Sequence, residues 1–123
     1  MTASFKTEGT YTPDNLLAGN AHLLVGRKVT VLAGQVLARG AVLGLITASG
    51  KYKLSASAAA DGSQTPDLIL AEAVDATSAD TTVLAYERGD FNSNALTLGA
   101  GHTVASIREG LRAKGITLLT AVA

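Results

Sequence analysis

Cysteine is absent from the 123-residue chain, which excludes disulfides, thiol catalysis and thiolate metal sites. That absence also suits a protein made in a reducing cytosol. No apolar run approaches the ~20 residues that a bilayer-spanning helix needs, so no membrane partner is expected. No cationic segment followed by an apolar stretch opens the chain, so no secretory signal is expected. An excess of one charge is missing too: ten basic and ten acidic residues cancel, and neither sign forms a block. Nucleic-acid binders gather basic residues on a face that displaces counterions from phosphates. The nearest approach here is Arg108 and Arg112 with Lys114, a short stripe read as the solvated face of a helix. No direct nucleic-acid contact is expected.

Catalytic material is scarce. His22 and His102 stand far apart, no HExxH pairing exists and the carboxylates are scattered singly, so neither a metal nor a cofactor is expected. No serine sits in a Gly-x-Ser-x-Gly elbow. Gly44 to Gly50-Lys51 has the look of a phosphate loop, but one residue too many separates the glycines, and Tyr52 replaces the metal-binding hydroxyl residue. Gly99-Ala100-Gly101 precedes a helix, yet Val104 occupies the third position of the dinucleotide fingerprint, where a small residue is required. Arg88-Gly89-Asp90 matches a tripeptide of some adhesion ligands and reads as a plain turn that closes a strand. The chain is read as a non-enzyme.

What is present is a small apolar-rich chain, 47% hydrophobic and 16% charged, with room for one core. A chain of this size hides roughly two-thirds of its unfolded surface on folding. Residues 1–16 are rich in Thr and small polar side chains. Their large apolar groups are Phe5, Tyr11 and Leu16, and Gly9 and Pro13 interrupt any regular element. Two readings stand for this flexible terminus: a frayed tail, or an arm that adds a strand to a partner with Phe5 and Tyr11 as anchors.

Residues 17–123 form the expected β-rich domain. Val29–Ala33, Val36–Ala38, Val42–Thr47 and Tyr52–Leu54 are short β-type segments broken by glycine, and Ser55–Thr65 reads as an exposed loop. Asp67–Val74 and Asp80–Glu87 are the two longest strand candidates. The run Leu68-Ile69-Leu70 implies burial on both faces.

Val104, Ile107 and Leu111 recur on one helical face, with Thr103 as the expected N-cap, Lys114 in the last turn and Gly115 as the stop. Gly110 inside this helix is unexplained by propensity. Ile116–Val122 reads as a closing strand. The fold class expected is β-rich α+β: a Gly-punctuated β-clip or small-barrel core, one C-terminal helix and a flexible N-terminal arm.

Two phrases carry a family resemblance: Gly34-Gln-Val-Leu-Ala-Arg-Gly40-Ala-Val-Leu-Gly44, and Ala85-Tyr-Glu-Arg-Gly-Asp-Phe-Asn92, followed later by the helix and Lys114-Gly115-Ile116. Together with the order of parts, they resemble the lambda-type bacteriophage head decoration proteins over nearly the whole chain from about Leu16. The resemblance implies a structural virion protein on the outer capsid surface, assembled in the host cytoplasm. It implies homotrimers that bind an expanded shell and cement neighbouring major capsid protein subunits against DNA pressure. It also implies that residues 1–16 are a capsid-binding arm, with Phe5, Tyr11, Pro13 and Leu16 as the contact residues. The alternative is a β-clip binding module, since the Gly34–Gly44 phrase also resembles the SAF-type clip, or another trimeric virion component without catalysis.

Overall fold

The computed structural model describes Leu16 and residues 24–119. Phe5, Tyr11, Pro13 and His22 lie outside the described residues, as does the end of the closing strand beyond Leu119. The β-rich architecture expected from the sequence is present. Strands β1 (Val25–Val31), β2 (Val36–Leu37), β3 (Val42–Leu45), β4 (Tyr52–Leu54), β5 (Pro66–Leu70), β6 (Val74–Asp75) and β7 (Thr81–Asn92) come first. A short 3-10 turn (Ser93–Ala95), helix α1 (Val104–Ala113) and β8 (Ile116–Leu119) complete the order.

Five strands close into a barrel in the order β1-β4-β3-β5-β7, with β7 pairing back onto β1. The closing seam is the antiparallel β1–β7 ladder, from Val25 opposite Arg88 to Val31 opposite Thr81. Val29, Val31, Leu43, Leu68, Leu70, Val83 and Ala85 fill the barrel. A second core lies outside its wall, where Ile107 and Leu111 of α1 meet Val42, Ile69, Phe91, Ile116, Leu118 and Leu16. This explains the apolar run in β5: Leu68 and Leu70 point into the barrel, and Ile69 points the other way into the second core. All three are at most 2% exposed, and each such burial contributes about 1.5–3 kcal/mol.

Strand β7 serves both cores by means of a bulge. Val25 faces Arg88 and the next residue, Gly26, faces Tyr86, so Glu87 is an extra residue on β7. One inserted residue reverses the alternation of side chains between the two faces of a strand. Before it, Val83 and Ala85 point inward; after it, Phe91 points outward and meets Tyr86, with ring centroids 5.4 Å apart.

Here the plain-turn reading of Arg88-Gly89-Asp90 is overturned. The tripeptide lies within β7, whose distal half pairs in parallel with β8, Gly89 opposite Ile116 and Asp90 opposite Thr117. Gly89 has φ +150°, a region that favours glycine, and a Cβ there would fall 2.4 Å from Leu24 Cδ2.

The strand expected over Asp67–Val74 divides. Its first part is β5, in the barrel wall. After Ala71 the chain turns away, and β6 pairs with β2 in a separate two-stranded ribbon while Val74 remains buried against the barrel core.

The Ser55–Thr65 segment lacks regular secondary structure, but it is less exposed than its composition implies: Ser55 and Ser63 are fully buried. Two glycines let it lie this close. A Cβ on Gly44 would sit 2.0 Å from Ser63 O, and one on Gly99 would sit 1.9 Å from Ser55 O. Gly44 and Gly99, each part of a stretch that looked like a phosphate loop, therefore admit neighbouring main chain.

Helix α1 begins as expected. Thr103 Oγ1 accepts from Ser106 N at 3.1 Å and Ser106 Oγ accepts from Thr103 N at 2.9 Å, a reciprocal capping box. Lys114 is the C-cap, and Gly115, at φ +96°, follows it.

Candidate functional site

Several ionisable side chains in the described part are engaged with the domain itself. Arg108 donates to Leu118 O at 2.7 Å, Arg112 pairs with Glu109 at 2.7 Å, and Lys114 pairs with Asp67 at 3.0 Å. The stripe of cations legible on the helix thus ties α1 to β8, to itself and to the barrel wall. Asp67 also accepts from the Tyr52 hydroxyl at 3.1 Å. Burial raises the Tyr52 phenol above its ordinary pKa, and the Asp67 carboxylate adds to the shift.

Three aspartates, Asp61 partly buried and Asp75 and Asp80 exposed, are shifted in the opposite direction. The Ser63 hydroxyl, then the Lys53 ammonium, hold Asp61 well below the usual carboxylate range. Lys51, with the Ala33 amide, lowers Asp80, and the Thr77 hydroxyl and amide lower Asp75.

Among the described residues no group of three or more His, Asp or Glu side chains converges as a metal site would require. His102 Nε2 lies 3.1 Å from Ser55 Oγ, the beginning of a nucleophile–base pair. Ser55 is fully buried, however, and its amide donates to Val42 O at 2.9 Å. The pair fastens the loop to the start of α1.

Of the four residues expected to contact a partner, Leu16 is the one within the described set. It is 3% exposed and packs in the second core, so its side chain faces the domain. Its carbonyl accepts from Asn92 N at 2.7 Å, at the far end of β7. Leu24 packs against the same core. Nothing local in the sequence signals this: Leu16 adjoins a polar segment, and the other buried residues of that core, Val42 to Leu118, are 26 to 102 positions away.

A second surface emerges only in the structure. The β2–β6 ribbon carries Val36, 66% exposed, beside Leu37, Ala38 and Ala73, forming a shallow apolar patch.

The surface thus offers contact areas and a buried root for the N-terminal segment. The family model for Bacteriophage lambda head decoration protein D matches residues 5–116. The chain belongs to that family. The matched span runs from Phe5 to the first residue of β8, and it includes Tyr11, Pro13, Leu16 and both phrases that carried the resemblance. No curated protein matches the chain. Family membership makes this a structural, capsid-decorating protein of the bacteriophage head. The chain's Gly34–Gly44 phrase covers β2, β3 as far as Gly44 and the turn between them. Its Ala85–Asn92 phrase covers the bulged half of β7, where the barrel meets the second core.

Proposed function

We propose that this decoration protein binds the outer surface of an expanded phage capsid as homotrimers. There it cements neighbouring major capsid protein subunits against the pressure of packaged DNA. The family match over residues 5–116 carries this reading, because it reaches into the N-terminal segment as well as the domain. In this role residues 1–16 act as the capsid-binding arm, with Phe5, Tyr11 and Pro13 at the contact. Leu16 is the root that fixes the arm to the second core.

Binding the expanded lattice in preference to other forms stabilises that lattice by RT ln(1 + [L]/Kd) per site. Ordering an arm costs about 1–2 kcal/mol per residue, so a free arm binds poorly. Three arms held on one trimer offset this cost through a high effective concentration once the first has docked. A buried root serves the same end, since an arm anchored at Leu16 starts from a fixed point on the domain. The scattered, internally paired charges suit a protein that acts by covering surface.

The test is co-sedimentation with expanded, undecorated capsids. The intact chain is run beside a form lacking residues 2–14, a deletion that spares Leu16 and the core. Saturable binding by the intact chain with loss in the shortened one supports both the cement role and the arm. Equal binding by the two retains the role and removes the arm from it. A folded intact chain that fails to bind overturns the cement role proposed here. Phe5→Ala with Tyr11→Ala separates anchors from backbone pairing: unchanged binding would show that the rings are not the anchors.

A further inference from the structure

The loop pinned beneath Gly44 and Gly99 contains Asp61-Gly62, the one Asp-Gly dipeptide in the sequence. Such a dipeptide is prone to self-modification, because glycine has no side chain to hinder its own nitrogen from reaching the preceding carboxyl. The Gly62 amide nitrogen attacks Cγ of Asp61, loses its proton and expels a carboxyl oxygen as water, closing a succinimide. Water then reopens the ring at either carbonyl. One route restores aspartate; the other leaves an isoaspartyl link with an extra methylene in the main chain. The water lost is regained, and no co-reactant is needed.

The fold cannot easily discard the labile pair. Gly62 has φ +103°, and a Cβ there would stand 2.0 Å from Thr47 Oγ1 and 2.9 Å from Leu45 O. Any other residue would be strained and obstructed. Asp61 is committed through its side chain, whose Oδ1 accepts from Ser63 N and Ser63 Oγ and whose Oδ2 pairs with Lys53 Nζ, while its main-chain carbonyl accepts from both Thr47 N and Thr47 Oγ1 at 2.9 Å.

Both reacting groups are nevertheless restrained. Ring closure proceeds through the neutral acid, and Asp61 is kept as the anion by Lys53 Nζ at 2.9 Å from Oδ2 and by Ser63, whose amide and hydroxyl both donate to Oδ1. The nucleophile is held as well, for Gly62 N donates to Gln64 Oε1 at 2.8 Å. Ser63 is itself fully buried, so the clamp is fixed to the domain.

We infer that Asp61-Gly62 is a latent isoaspartate-forming site, and that the Lys53, Ser63 and Gln64 contacts suppress the reaction in the folded protein. The inference does not depend on where the protein binds. Its consequence is an ageing reaction that starts when the loop comes loose, and one that then prevents the loop from reseating, because the added methylene displaces the carbonyl from Thr47.

The test is prolonged incubation of the full chain at mildly acidic pH. Isoaspartate is read by enzymatic methyl transfer to the new carboxyl and by fragmentation mass spectrometry of the loop peptide. Gln64→Ala and Lys53→Gln are each expected to modify several-fold faster than wild type, with the added isoaspartate confined to residue 61. Asp61→Glu should remove the signal, because its ring closes far less readily. Wild type unfolded in urea provides a reference that needs no variant to fold, and it should modify several-fold faster than the native chain. Equal rates in native and unfolded wild type would overturn the inference. So would folded Gln64→Ala and Lys53→Gln proteins that both age no faster than wild type.

Discussion

A methyl group added at Gly110 would meet nothing within 4 Å, whereas one at Gly44 would lie 2.0 Å from Ser63 O. The two glycines therefore respond oppositely to the same substitution. Gly110→Ala removes backbone freedom from the unfolded chain and is expected to stabilise by about 0.4–1 kcal/mol. Gly44→Ala forces the pinned loop away from the barrel and is expected to destabilise by about 1–3 kcal/mol. Urea unfolding midpoints check both, and a destabilised Gly110→Ala would mean that the helix surface is covered in the native protein. The sequence shows that Gly110 is costly in a helix but not that its surroundings are empty. For Gly44 the decisive neighbour is main chain 19 residues further on, which no local pattern reports.

Among the elements, α1 was the most legible and β7 the least. The spacing of Val104, Ile107 and Leu111, with Thr103 before them, depends on bonds made within a few residues, and the helix forms where those residues place it. Strand β7 continues through Arg88-Gly89-Asp90 because β8 arrives to pair with it, 27 residues after Gly89. Glycine between charged residues has the local signature of a turn, and the partner that overrides this signature is distant.

The bulge at Glu87 sets the orientation of everything beyond it. Deleting Glu87 should turn Phe91 away from the second core and cost far more than Glu87→Ala, which leaves the main-chain count intact. Removing a large core side chain costs about 3–5 kcal/mol, so the deletion is expected to lose at least that much. Circular dichroism and denaturant midpoints of the two variants give the comparison. Similar stabilities for both would show that the bulge does not govern the facing of β7.

For the whole molecule, pH dependence follows from the three lowered aspartates. A carboxyl whose folded pKa lies below its unfolded one stabilises the fold above the unfolded value. It loses that contribution as pH falls through the folded value. Asp61, Asp75 and Asp80 share an ordinary value of 3.8, so stability should begin to fall near there and continue downward. Tyr52 works at the opposite end: its raised phenol contributes below its ordinary 10.0 and ceases to do so as pH climbs through the higher folded value. Thermal midpoints measured across pH should therefore drop at both extremes, with a shallower acid decline in Asp61→Asn. An acid decline as steep in that variant as in wild type would remove Asp61 from the account.

The global reading was legible to different depths. The family phrases were visible because they combine turn glycines with barrel residues. The closed order of the strands was not, since closure depends on β1 meeting β7 across half the chain.

Closure also bears on how the protein behaves when crowded. Proteins commonly remain dispersed through mutual charge repulsion, and this chain has a net charge of zero. Sheets left open at their sides recruit strands from other copies, and a ring has no sides. Among the described residues the strands outside the ring are few: the two of the small ribbon, and β8, where Arg108 already occupies the Leu118 carbonyl. Colloidal stability at high local concentration therefore draws on the topology of the barrel, which neither salt nor a shift of pH near neutrality can screen away.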